Sequence, residues 1–271
     1  MNGDENMKSK RKGSSSTSSK WGILTLALLL ALGTALSILS LKWRSTLRVQ
    51  HISVDGASAV SVKDIVAMTK ISARAPLYTL NLAEIRDRIA RHPFVLSASV
   101  YRQFPGSVEI DVVERVPVAA VNCGQLCYTD KDGILLPYNE SNKKFDLPLV
   151  SGIDGLQNAR PGAALMSKEL LKAIELCQTA QALDTSIYHM ISEVNMNNGG
   201  DIILYSSEAG VPVIVGRDDI ARKLLMFENF WSANVHPEDV EGMKYIDLRF
   251  RDQVVVKWAQ QQAQQTKKAS S

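Results

Sequence analysis

Residues 92–114 read HPFVLSASVYRQFPGSVEIDVVE, and this run sets the fold class. Pro93 lacks a backbone N–H and disfavours a helical residue before it, so a helix arriving from the N-terminal side stops here. Val95 to Tyr101 is strand-like, Phe104-Pro105-Gly106 turns the chain, and Val108, Ile110 and Val112 alternate with Glu109, Asp111 and Val113. A period of two marks a half-buried strand. Upstream lie two helix starts. Ser61-Val62-Lys63-Asp64 is a capping box opening a short helix through about Met68, and Asn81-Leu82-Ala83-Glu84 repeats the signal before Leu82, Ile85 and Ile89, which share one face. Val49, Ile52 and Val54 begin a strand that ends at the Asp55-Gly56 turn. The result is a strand-helix-helix-strand-strand unit closing near Glu114, which makes the chain α+β.

Downstream the pattern is longer and β-rich. Val118 to Val121, Leu126 to Thr129 and Ile134 to Leu136 are predicted strands, and Pro148, Gly152, Gly155, Pro161 and Gly162 punctuate a loop-rich connection. Ser167 opens a helix carrying Leu170, Leu171, Ile174, Cys177 and Leu183. Three strands follow, Ile191 to Met196, Ile202 to Tyr205 and Val211 to Val215, then an amphipathic helix from Asp218 to Trp231. Tyr245 to Phe250 and Val254 to Trp258 are the last two strands, and the Gln- and Lys-rich residues 259–271 are expected to be disordered.

Upstream of everything, residues 21–41 hold no charged side chain. As a helix such a run covers roughly 32 Å, enough for a hydrocarbon core about 30 Å thick. Trp21 and Trp43 bracket it, where amphipathic rings favour the water boundary. A cleaved signal peptide would have a shorter apolar region, so a retained transmembrane helix is expected. Residues 1–20 carry Lys8, Lys10, Arg11, Lys12 and Lys20 against Asp4 and Glu5, which predicts a disordered cytoplasmic basic tail and an extracytoplasmic body. The chain has 31 basic and 28 acidic residues; without that tail it has 26 of each. A formally neutral body argues against nucleic acid as a partner, because that affinity rests on clustered cations.

No catalytic constellation can be assembled: there is no nucleophile elbow, no zinc-ligand pair at helical spacing and no Gly-rich phosphate loop. No catalytic, metal or cofactor residue is therefore predicted. Glu114-Arg115 suits a junction held by charge-assisted bonds better than an acid–base pair, and Asp130 and Asp132 suit a hairpin turn. Cys123 and Cys127 flank a short turn and are a possible disulfide, whereas Cys177 on an apolar helix face is expected to be a buried small hydrophobe.

Five phrases, in order, resemble the bacterial cell-division family FtsQ, also called DivIB. They are Val49 to Gly56; His92 to Val95 running into Ala98 to Pro105; Glu114-Arg115-Val116-Pro117-Val118-Ala119; Asp146 to Gly152; and Tyr245-Ile246-Asp247-Leu248-Arg249-Phe250. The resemblance implies a POTRA domain at residues 49–115 and the family's β domain at residues 116–258. It implies a non-enzymatic scaffold of the division septum in the inner (cytoplasmic) membrane, binding the coiled-coil proteins FtsB and FtsL and, through them, the septal peptidoglycan synthases. Another POTRA-bearing assembly or transport protein is the rival reading, although no repeat of the first unit and no run of barrel strands is present. A terminal strand is often an edge open to strand addition. The resemblance implies that FtsB docks on this closing hairpin, with Arg249, Phe250 and Trp258 at the matching positions, and the partner-binding candidates are Arg249, Phe250, Asp252, Val254, Val256 and Trp258; Phe250 stands where the family often has Tyr, and Asp252 where it often has Ser. Core-facing packing of Val254 and Val256 is the competing role for those two. The segment Val60 to Ser72 is a second, weaker docking candidate.

Overall fold

The computed structural model describes residues 17–236 and 240–259. Helix α1 (Thr17–Thr46) begins four residues before the predicted span and ends five after it. It extends because nothing stops it: no proline lies near, and Thr25, Thr34, Ser37 and Thr46 satisfy their hydroxyls by donating to carbonyls three or four residues back. The predicted disordered tail is thus helical from residue 17, and its remaining part lies outside the described residues, as do residues 260–271. The span Trp21–Arg44 is strongly apolar on average, with its only charges, Lys42 and Arg44, at its C-terminal end, and none of it is buried inside the protein, unlike a core helix.

The chain divides into two compact units. One holds α1 together with residues 72–80 and 102–108; the other holds residues 52–71, 81–101 and the chain from 109 onward. The POTRA-like elements are β1 (His51–Asp55), α2 (Val62–Thr69), α3 (Leu82–Ile89), β2 (Val95–Gln103) and β3 (Ser107–Glu114), with sheet order β1-β3-β2. Both predicted caps form: Ser61 Oγ accepts from the Asp64 N–H at 3.1 Å, and Asn81 Oδ1 accepts from the Glu84 N–H at 3.3 Å. Ile65, Ile85, Ile89, Phe94, Ile110 and Val112 are buried. Each such side chain contributes about 1.5–3 kcal/mol.

The junction residues act separately rather than as a pair. The Glu114 carboxylate accepts from the backbone N–H groups of Ser58, Ala59 and Val60 at 2.7–3.0 Å, which fixes the loop before α2. Arg115 donates to Asp130 at 2.8 Å. Asp130 is buried and its other oxygen accepts from the N–H groups of Asp132 and Ile134, so the turn reading and the junction role both belong to it.

The second domain contains β4 (Pro117–Asn122), β5 (Leu126–Asp130), β6 (Leu135–Pro137), β7 (Leu149–Ser151), α4 (Lys168–Leu183), α5 (Thr185–His189), β8 (Ile191–Asn195), β9 (Ile203–Ser206), β10 (Pro212–Ile214), α6 (Ile220–Asn234), β11 (Met243–Asp247) and β12 (Val255–Trp258). Among the described residues its nine strands run β12-β11-β10-β9-β8-β7-β4-β5-β6. The β4–β7, β7–β8 and β10–β11 pairs are parallel. One register row crosses the sheet as Cys127, Val121, Val150, Val194, Leu204, Val213, Ile246 and Val256. This row, with Leu170, Ile174 and Cys177 of α4 and Leu224, Phe227 and Trp231 of α6, forms the hydrophobic core.

Two elements, β7 and α5, are missing from the sequence expectation. The segment read as loop contains β7, which joins the two halves of the sheet; three residues are too few to show a period. Gly152 ends it at φ +66°, where a Cβ would collide with Asn195 Oδ1, so only glycine fits. Helix α5, capped by Asp184 accepting from the Ser186 N–H, was hidden because five residues span little more than one turn. Cys123 and Cys127 are joined by a disulfide at the β4–β5 turn. Cys177 is fully buried, and burial pushes its thiol up to about 12, consistent with a packing role.

Candidate partner-docking edge

The terminal hairpin is built from β11 and β12. Asp247 faces Val255, Ile246 faces Val256 and Tyr245 faces Lys257, with a bulge before Met243 meets Trp258. The Ala259 N–H donates to the Gly242 carbonyl at 2.7 Å, extending the ladder by one bond. Backbone polar groups alternate sides along an antiparallel strand. If Ala259 points toward β11, then Lys257 and Val255 do too, and the N–H and C=O of Val256 and Trp258 point to the open side. Strand β12 is the end of the sheet order and pairs only with β11 among the described residues.

Side chains divide along the same strand. Val254 and Val256 are half-buried and pack against the core, so their side chains anchor the edge. Val255 is 38% exposed, Phe250 50% and Trp258 49%. The Trp258 ring lies over Gly242, where a Cβ would come within 3.6 Å of it. Lys257 Nζ sits 5.6 Å from the centroid of Tyr245, on the face opposite Val256. Val255 and Lys257 were not singled out from the sequence, although period-two alternation from core-facing Val254 and Val256 would have found them.

Arg249 and Asp252 hold the connection between the strands. Strand β11 stops at Asp247, three residues earlier than the periodicity suggests, because Arg249 folds back on it. The Arg249 guanidinium donates to Asp247 at 2.6–3.2 Å and to Asp201 at 2.8 Å. Asp247 is buried, and its bond to Arg249 holds the carboxyl below the usual carboxylate range. Lys223, also buried, donates to the Val215 carbonyl and to Asp218. Asp252 sits at φ +55° and pairs with Arg222 at 2.9 Å. Arg249 and Asp252 are therefore committed to internal ion pairs, which present Phe250 outward between them. Nothing in this cluster places a nucleophile beside a base.

Comparison with known proteins agrees with this architecture. Residues 47–115 match the FtsQ-type POTRA domain, and residues 119–249 match the C-terminal domain of cell division protein FtsQ/DivIB. The second match ends at Arg249, so β12 is placed by the structure. The chain is 32% identical to cell division protein FtsQ of Rhodothermus marinus over 222 residues, 79% of each chain. It is 27% identical to FtsQ of Salinibacter ruber, covering 85% of this chain and 90% of that one. It is 24% identical to cell division protein DivIB of Clostridium acetobutylicum, covering 75% and 80%. With a membrane-length apolar helix, a POTRA domain and this β-rich domain in order, the chain belongs to the FtsQ/DivIB family of cell division proteins.

Proposed function

We propose that this protein is a non-catalytic scaffold of the division septum, anchored by α1 in the inner membrane with its body outside the cytoplasm. It captures coiled-coil proteins of the FtsB and FtsL kind by strand addition along β12 and so links them to the septal peptidoglycan synthases. The observation carrying this reading is the position of β12 at the end of the nine-stranded sheet, with Phe250, Val255 and Trp258 exposed beside it. Backbone groups on the open side supply affinity by pairing, and alternating side chains supply specificity. Aromatic anchors suit such a surface because they bury a large area with few rotatable bonds. Family membership and the membrane-length apolar helix support the setting. On this reading the chain offers separate surfaces from a POTRA domain at residues 49–115 and a β domain at residues 116–258, in keeping with the family matches at 47–115 and 119–249, with 60–72 a further docking segment.

The test replaces Phe250 and Trp258 together by alanine in the full-length protein and measures co-purification of FtsB. Loss of FtsB with normal folding is expected, since truncating two central anchors costs about 2 kcal/mol or more each. Wild-type recovery of FtsB would contradict the assignment of this edge.

A further inference from the structure

Helix α1 does not hand over to a free linker. Directly after it, the Leu77 N–H donates to the Leu47 carbonyl at 3.0 Å, the Val49 N–H to the Ala75 carbonyl at 2.9 Å, and the Gln50 N–H to the Gly106 carbonyl at 2.8 Å. The turn at residues 104–106 therefore lies against the chain as it leaves the helix. Gly106 permits this approach, because a Cβ there would fall 2.8 Å from the Arg48 carbonyl oxygen. Phe104, at the turn and 65% exposed, brings its ring centroid to 5.9 Å from that of Trp43.

Chemistry gathers around that turn. Residues 42–51, 72–80 and 102–108 contain Lys42, Arg44, Arg48, Arg74 and Arg102 and no acidic residue. Arg44 and Arg102 each stand 5.7 Å from the Tyr78 ring centroid, and Arg102 also donates to the Leu77 and Leu80 carbonyls. Trp43 follows the apolar run by two residues, which sets its depth at the headgroup boundary. Whatever packs on Trp43 shares that depth.

We infer that Phe104, Trp43 and Tyr78, with Arg48 and Arg74 in the segments that carry them, form a membrane-docking surface that seats the turn at 104–106 among anionic lipid headgroups. This rests on α1 spanning the bilayer. The exposed Phe104 ring and neighbouring Trp43 enter the boundary between acyl chains and headgroups, as interfacial aromatics do. The guanidinium groups meet lipid phosphates, an attraction that falls off within a Debye length. The consequence is positional: the membrane-proximal residues are held at a fixed height rather than swinging on a tether.

The experiment places one nitroxide at a time, on Leu30→Cys, Phe104→Cys or Val113→Cys, in the full-length chain in nanodiscs of phosphatidylcholine and phosphatidylglycerol. The native cysteines do not compete, since Cys177 is buried and Cys123 is bonded to Cys127. Oxygen and a water-soluble nickel chelate report depth. Expected are a deep label at 30, an interfacial label at 104 more accessible to oxygen than to nickel, and an aqueous label at 113. A label at 104 as open to nickel as that at 113, with 30 deep, overturns the docking alone; a shallow label at 30 overturns the membrane span beneath it. In the same nanodiscs, Arg48→Gln with Arg74→Gln should lower phosphatidylglycerol enrichment around the protein by about fivefold per arginine at low salt. Unchanged enrichment contradicts the anionic-lipid assignment.

Discussion

At the residue scale, single carboxylates secure the turns around the proposed edge and the junction. Asp247 is buried, receives Arg249 and is held below its ordinary range by that bond. A depressed carboxyl contributes stability that is present above the unfolded value of about 3.9 and lost as pH falls through the lower folded value. Asp247→Asn should therefore weaken the fold at neutral pH, and its deficit against wild type should shrink as pH drops below about 4. Denaturant midpoints measured across that range check this; a constant deficit would mean that charge at Asp247 is not what is being read. Glu114 gives a second expectation. Glu114→Ala leaves three backbone donors without their acceptor and should cost about 2–3 kcal/mol, with Glu114→Gln costing less because one oxygen remains. Chemical denaturation of residues 49–258 reports both.

At the element scale, the behaviour of β12 depends on which way each backbone group points. Val256→Pro removes an N–H from the open side and should spare the pairing with β11, while Lys257→Pro removes one from the ladder. The first is expected to fold and lose partner binding; the second should fray the hairpin, which amide exchange at β11 would register. Equal binding by Val256→Pro and wild type would argue against strand addition. Inside the sheet, Leu204→Ala sits in the central apolar row and should cost about 2–5 kcal/mol by thermal or denaturant unfolding. These elements were unequally legible. Caps at Ser61 and Asn81 and the alternation of Val108, Ile110 and Val112 announce themselves locally, because hydrogen bonding and pleating act over a few residues. Strand β7 and helix α5 do not, since their short lengths carry no period and β7 is recruited by partners 29 and 44 residues away in sequence, as in Ala120 with Leu149 and Leu149 with Glu193. The site was legible in part. Trp258 and Phe250 stood out as large apolar groups near the end of the chain, but that Arg249 is tied up in ion pairs depends in part on Asp201, whose proximity only the fold creates.

At the scale of the whole molecule, a membrane-length apolar helix and a sheet that ends, among the described residues, on a strand unpaired along one edge suit a protein that holds binding surfaces close to the membrane. Tethering raises the effective concentration of partners that are themselves membrane-bound, without new contacts. Removing the protein from a dividing cell is expected to leave elongating cells that fail to septate, and normal septation after depletion would count against the scaffold role. The central claim, that β12 is the capturing edge, is met most directly by photo-crosslinking in living cells from probes placed one at a time along residues 245–258. Crosslinks to a small coiled-coil division protein are expected from positions 250, 255 and 258, with weak or no product from 246, whose side chain lies in the core. Products absent from all three exposed positions, or no stronger there than at 246, would contradict it.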